Sequence, residues 1–215
     1  LLFRETLFAA DSMKDCIGGV ILYDETINQT SNNRKAIPAM ISETGAVPGI
    51  KVDTGAKDLA NSLDEKVTEG LDGLRERLKR YYDLGARFAK WRGVYIIGEK
   101  YPSKLAINSN AHALARYSAL VQECEMVPIV EPEVLMDGDH TAEDCLIKTS
   151  EVIQKCFEEL LIHKIDLTGI ILKPNMILAG NKSKNKVSNE EVSYKTLECL
   201  KKSVPNEVPG IAFLS

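Results

Sequence analysis

Short apolar runs rich in β-branched residues alternate along this chain with segments of helical period, and few folds accept that alternation. The runs fall at 17–23, 47–52, 86–97, 127–130, 169–172 and 210–214. Between them, Leu71, Leu74, Leu78 and Tyr81 share one face of a 3.6-residue period, as do Leu114, Tyr117 and Val121. A longer stripe carries Cys145, Leu146, Thr149, Val152, Ile153, Cys156, Phe157 and Leu160 behind a Thr141-x-x-Asp144 start. Ser188 with Glu191 reads as the capping box of a last helix bearing Val192, Thr196, Cys199 and Leu200. Strand, helix, strand in repetition predicts βαβ units and a parallel sheet of six strands buried on both faces. A doubly wound sheet and a (β/α)8 barrel both satisfy the pattern. No G-x-G-x-x-G and no G-x-x-x-x-G-K-[ST] follows the first strand, so the nucleotide-binding form of the open sheet lacks its usual support.

Several function classes are disfavoured by composition. The longest stretch free of Asp, Glu, Lys and Arg is 105–115, short of the ~20 apolar residues a membrane-spanning helix needs. Lys plus Arg number 27 against 31 for Asp plus Glu, a net charge of −4. That balance points to neither a nucleic-acid partner nor an anionic membrane. Five cysteines, with no C-x-x-C pair, read as reduced thiols of a cytosolic chain, buried as small hydrophobes. His112, His140 and His163 stand apart in sequence and suggest no metal site, and His140 reads as part of an ordinary Asp137-Gly138-Asp139-His140 turn. Lys182, Lys184 and Lys186 read as a solvated loop, and Gly18-Gly19 as a close backbone approach.

The ends of four successive strands carry charge. Lys51 and Asp53 close one, Lys90 and Arg92 the next, Glu131 and Glu133 the third, Lys173 and Asn175 the fourth. Each pair is spaced i, i+2, which on a strand puts both members on one face. Charges on otherwise apolar strands are costly unless paired or set at an open rim. Lys51, Lys90, Arg92 and Lys173 outnumber Asp53, Glu131 and Glu133 by one, a balance that suits a phosphorylated substrate. Lys173 follows a buried strand in Ile171-Leu172-Lys173-Pro174-Asn175-Met176. Desolvation there, and the like charge of Lys90, favour the neutral amine that attacks a carbonyl. A carboxylate such as Glu131 can carry the protons of carbinolamine formation and dehydration. Two lysines and a glutamate without metal ligands are the equipment of Schiff-base chemistry.

In series, Ile50-Lys51-Val52-Asp53, Phe88-Ala89-Lys90-Trp91-Arg92, Ile129-Val130-Glu131-Pro132-Glu133, Leu172-Lys173-Pro174-Asn175-Met176 and Phe213-Leu214-Ser215 resemble class I (Schiff-base) fructose-bisphosphate aldolase. Cys16-Ile17-Gly18-Gly19-Val20-Ile21-Leu22 is similar to that family's second strand. The resemblance implies a (β/α)8 TIM barrel, a cytoplasmic glycolytic lyase without cofactor, and a homotetramer acting on a phosphorylated sugar. It matches Lys173 to the Schiff-base lysine, Glu131 to the proton carrier with Glu133 in support, and Lys90 to a lysine that assists carbinolamine formation. Lys51 and Arg92 match cations near one phosphate, and Ser215 a serine near the other.

The resemblance also departs from the family. Thr54 stands where the family pattern reads lysine in K-V-D-K-G, and the family's first strand, eighth strand and C-terminal tail fall outside Leu1–Ser215. The expectation is therefore a single, incomplete TIM-barrel domain over 1–215, holding about strands 2 to 7 of a longer protein. The alternative is a truncated, non-catalytic aldolase-like chain that binds metabolites or partners. Another Schiff-base aldolase or a transaldolase would share Lys173 without needing the whole series.

Overall fold

The computed structural model describes residues 2–32 and 34–213. Helices α1 (Leu2–Phe8) and α2 (Met13–Cys16) precede strand β1 (Gly19–Leu22), and α3 (Asp24–Ile27) and α4 (Ile37–Glu43) lead to β2 (Val47–Lys51). A hairpin of β3 (Gly55–Asp58) and β4 (Lys66–Glu69) follows, then α5 (Leu74–Asp83) and β5 (Phe88–Tyr95). The remainder alternates: α6 (Lys104–Glu123), β6 (Val127–Val134), α7 (Ala142–Ile162), β7 (Ile171–Leu172) and α8 (Asn189–Ser203). Strands β1, β2, β5, β6 and β7 lie in that order in one sheet, every neighbouring pair parallel. The βαβ reading holds with five strands in place of six, and among the described residues the sheet is open.

Alternation along the strands divides the two faces. Ile50, Ala89, Trp91, Val130 and Leu172 have no exposed surface and pack in one core with Leu114, Tyr117, Ile153 and Leu160 of the helices. Burial of side chains this size contributes roughly 1.5–3 kcal/mol each. The rings of Trp91 and Tyr117 lie 5.5 Å apart, and the Tyr117 hydroxyl donates to the Ala89 carbonyl at 2.6 Å. In register on the opposite face, Lys51 pairs with Lys90 and Arg92 with Glu131. Phe88 lies on that face over Gly49 and Gly19. A Cβ at Gly49 would sit 2.2 Å from its ring, and one at Gly19 3.1 Å. The close approach expected of Gly18-Gly19 thus belongs to Gly19.

Helix starts follow their caps. Thr141 and Asp144 form a full capping box at α7, whereas at α8 only the Ser188 half, accepting from the Glu191 amide, is present. The apolar stripe of α7 is buried as read, from Cys145 through Leu160 with Leu146 half-buried.

Two expectations need correction, and one element was not among those expected. The run at 210–214 forms no strand among the described residues: Ile211 makes a single parallel bridge to Leu172, and Leu214 lies outside the description. The β3–β4 hairpin carries little apolar pattern in its sequence, because its residues are mostly exposed. Its anchor comes from α6, where buried Asn110 accepts from the Thr68 amide (3.0 Å) and donates to the Lys66 carbonyl (2.9 Å). Thr68 in turn donates to the Arg92 carbonyl at 2.6 Å, fixing the hairpin beside the strand end that carries charge. Of the cysteines, Cys145, Cys156 and Cys199 are buried, but Cys124 is half-buried and Cys16 exposed; all five are free thiols.

Candidate active site

The charged ends of β5, β6 and β7 meet at one carboxylate. Glu131 on β6 accepts from Lys90 Nζ of β5 at 2.7 Å through one oxygen, and from Lys173 Nζ, just past β7, at 2.6 Å through the other. Its side chain is 2% exposed, against 11% for Lys90 and 18% for Lys173. A carboxylate this buried is tolerable because both oxygens are held by ammonium groups. The backbone secures the geometry: the Lys173 amide donates to the Val130 carbonyl at 2.8 Å, carrying the β6–β7 pairing one residue beyond β7. The like-charge repulsion expected between Lys90 and Lys173 is relieved by Glu131 standing between them. A proton on Lys173 therefore has an acceptor in contact.

A second set of charges flanks the first. Lys51 is ion-paired to buried Asp53, and its Nζ also donates to the Asp53 carbonyl at 3.2 Å. The other Asp53 oxygen accepts from the Arg92 amide at 3.3 Å, so Asp53 ties the end of β2 to β5. The Arg92 guanidinium pairs with Glu133 and stays partly exposed. Glu133, hydrogen-bonded to it, raises Arg92 above the usual arginine range, with Glu131 and Asp53 adding to the effect. Arg92 is a permanent cation at the rim. Lys51 also lies 5.5 Å from the centre of the Tyr23 ring. Asp53, grouped with the strand-end charges by its i, i+2 spacing from Lys51 but given no role of its own there, is thus the tie that holds this part of the rim.

Of the nominated residues, the structure thus joins Lys90, Glu131 and Lys173 in one chain of contacts, Arg92 with Glu133, and Lys51 with Asp53. Ser215 lies outside the described residues. The shared face expected for Lys173 and Asn175 is not observed. Asn175 is buried toward α7, donating to the Thr149 hydroxyl at 3.1 Å and accepting from the Val134 amide at 3.0 Å. The strand ends at Leu172, so the period of two no longer governs position 175.

The histidines also depart from expectation. His112 and His163 are not apart: they meet across α6 and α7, with ring centres 5.0 Å from each other and Glu159 between. His140 is buried, both its ring nitrogens lack a partner among the described residues, and burial pushes its pKa down.

The chain is similar to known proteins along its whole length. The family model for fructose-bisphosphate aldolase class-I matches residues 1–215. A probable fructose-bisphosphate aldolase class 1 of Xanthomonas campestris is 50% identical over 213 residues, covering 99% of this chain and 64% of the relative. Cytosolic fructose-bisphosphate aldolase 6 of Arabidopsis thaliana is 46% identical, covering 99% of this chain and 59% of the relative. A solved structure of the Plasmodium falciparum aldolase, in complex with TRAP and a small-molecule inhibitor, superposes with a TM-score of 0.97 at 40% identity. It covers all of this chain and 62% of that one. The chain therefore spans less than two thirds of the length of these relatives. With a match running through all of residues 1–215, it belongs to the class-I fructose-bisphosphate aldolase family.

Proposed function

We propose that the protein carrying this chain is a Schiff-base fructose-bisphosphate aldolase, cleaving fructose 1,6-bisphosphate reversibly to dihydroxyacetone phosphate and glyceraldehyde 3-phosphate. The observation that carries the reading is the Glu131 carboxylate in contact with both Lys173 and Lys90 at the ends of adjoining parallel strands. Lys173 passes a proton to Glu131 and attacks the substrate ketone. Glu131 returns that proton to the carbinolamine hydroxyl, which leaves as water. The iminium on Lys173 then accepts the electron pair of the carbon 3–carbon 4 bond as Glu131, again a carboxylate, takes the proton of the carbon 4 hydroxyl, releasing glyceraldehyde 3-phosphate. Protonation and hydrolysis of the enamine free dihydroxyacetone phosphate. Splitting one hard cleavage into these steps is what covalent catalysis supplies.

Lys90 stays charged in this scheme and stabilises negative charge developing on the substrate oxygen. Arg92, held positive by Glu133, and Lys51 take one phosphate; Ser215 takes the other. Glu133 has the supporting role of orienting Arg92. The complete protein is proposed to be a closed (β/α)8 barrel formed by one domain, a cytoplasmic homotetramer serving glycolysis. The cytosolic names of relatives and the five free thiols support that location.

The test is reduction with borohydride in the presence of dihydroxyacetone phosphate, followed by peptide mapping of the complete protein. A secondary amine on Lys173 is the expected product. An adduct confined to another lysine, or none, overturns the assignment.

A further inference from the structure

We propose that His112, Glu159 and His163 form a binding site for a divalent transition metal, zinc foremost, on the outside of the molecule and separate from the lysine–glutamate site. The three residues come from two helices, His112 from mid-α6 and the other two from the end of α7 and the residue capping it. One ligand atom from each lies within 4.8 Å of the others, and among the described residues no other three His, Cys, Asp or Glu side chains converge in this way. In a tetrahedral zinc site, ligands at 2.0–2.1 Å from the ion stand about 3.3 Å from one another. His112 Nδ1 is already 3.2 Å from a Glu159 oxygen, and the two imidazole rings are centred 5.0 Å apart. Small side-chain rotations close the remaining gap.

The surroundings favour a metal. His163 Nδ1 lies 2.9 Å from the Glu159 carbonyl oxygen. Donation to that carbonyl leaves the other ring nitrogen with a free lone pair, the arrangement that fixes zinc-binding imidazoles. Glu159 and His163 are largely buried, with side chains 14% and 21% exposed, whereas His112 at 54% leaves a side open for solvent to complete the coordination. Lys155 competes for the second Glu159 oxygen at 3.3 Å, but Glu158 offers it another partner at 3.2 Å. Two imidazoles and one carboxylate suit zinc better than magnesium or calcium, which prefer all-oxygen sets. A bound ion would pin α6 to α7.

Zinc titrated calorimetrically into the complete protein at pH 7.5 should bind once per chain and raise its melting temperature. Cobalt should give the intense visible absorption of tetrahedral coordination. His112→Ala and His163→Ala should each weaken binding at least about tenfold. Both variants should keep the metal-free melting temperature within a few degrees while losing its zinc-dependent rise. Zinc binding of unchanged affinity in the double variant, or cobalt spectra untouched by either substitution, overturns the site and assigns the ion to the thiols. Absence of any zinc binding by the parent protein overturns it equally.

Discussion

Glu131 is the residue on which the proposed chemistry turns, because its two oxygens are the shared partners of both lysines and it is nearly inaccessible to water. Glu131→Gln keeps the shape and removes both the proton acceptor and the negative charge. In the complete enzyme kcat should fall by about 100- to 10,000-fold, the usual worth of a positioned acid or base. Leaving two largely buried ammonium groups without their counterion should also cost about 3 kcal/mol in urea unfolding at pH 7. A kcat within a few-fold of the parent would remove Glu131 from the mechanism. These three residues were legible in the sequence because they sit on, or one residue past, strands whose period of two dictates which face a side chain takes. Asn175 was misread for the complementary reason: β7 stops at Leu172, and past it the chain turns toward α7. His112 and His163 were illegible as a pair, because nothing local announces which turns of α6 and α7 will face one another.

Helix α7 shows how far local rules reach. Its start was read from Thr141 and Asp144 alone, and the box forms: Thr141 Oγ1 accepts from the Asp144 amide at 3.1 Å, and the Asp144 carboxylate accepts from the Thr141 amide at 2.9 Å. The Thr141 hydroxyl, followed by its amide, lowers the Asp144 pKa below 3.8. A carboxyl with a depressed folded pKa stabilises the protein above its unfolded pKa and loses that contribution as pH falls through the folded value. Thr141→Ala should therefore cost about 1 kcal/mol at pH 7. The difference from the parent should shrink below pH 3.8 as Asp144 protonates, which denaturant titrations at both pH values would reveal. A cost that is flat with pH would exclude the carboxylate from the cap. The hairpin β3–β4 marks the opposite limit. Its eight residues offer little apolar alternation, and its placement depends on Asn110, a buried amide in α6 far along the chain. The run at 210–214 had strand composition, yet ladder pairing needs a neighbour as well as a propensity, and Ile211 meets only Leu172.

At the scale of the molecule, parallel pairing was readable from alternation alone, whereas strand order was not, because the same alternation suits a doubly wound sheet and a barrel. Among the described residues β1 pairs only with β2, so one row of its backbone donors and acceptors is free. Apolar side chains stand exposed around the sheet, with Ile21 at 39%, Val47 at 40%, Ile211 at 38% and Phe213 at 50%. Free strand edges beside exposed apolar residues template association with other chains. The charged face suffers too, since Lys51 and Arg92 keep their places through partners at the same strand ends and any relaxation of the open sheet moves them. Misplacement by about 1 Å is enough to cost about 100-fold in rate. The 215-residue polypeptide expressed by itself should therefore elute, under light scattering, as assemblies well above its 23.8 kDa. It should cleave fructose 1,6-bisphosphate at least about 100-fold more slowly than the complete enzyme. A monodisperse monomer with the complete enzyme's turnover would mean that the open sheet is self-sufficient in positioning Lys173.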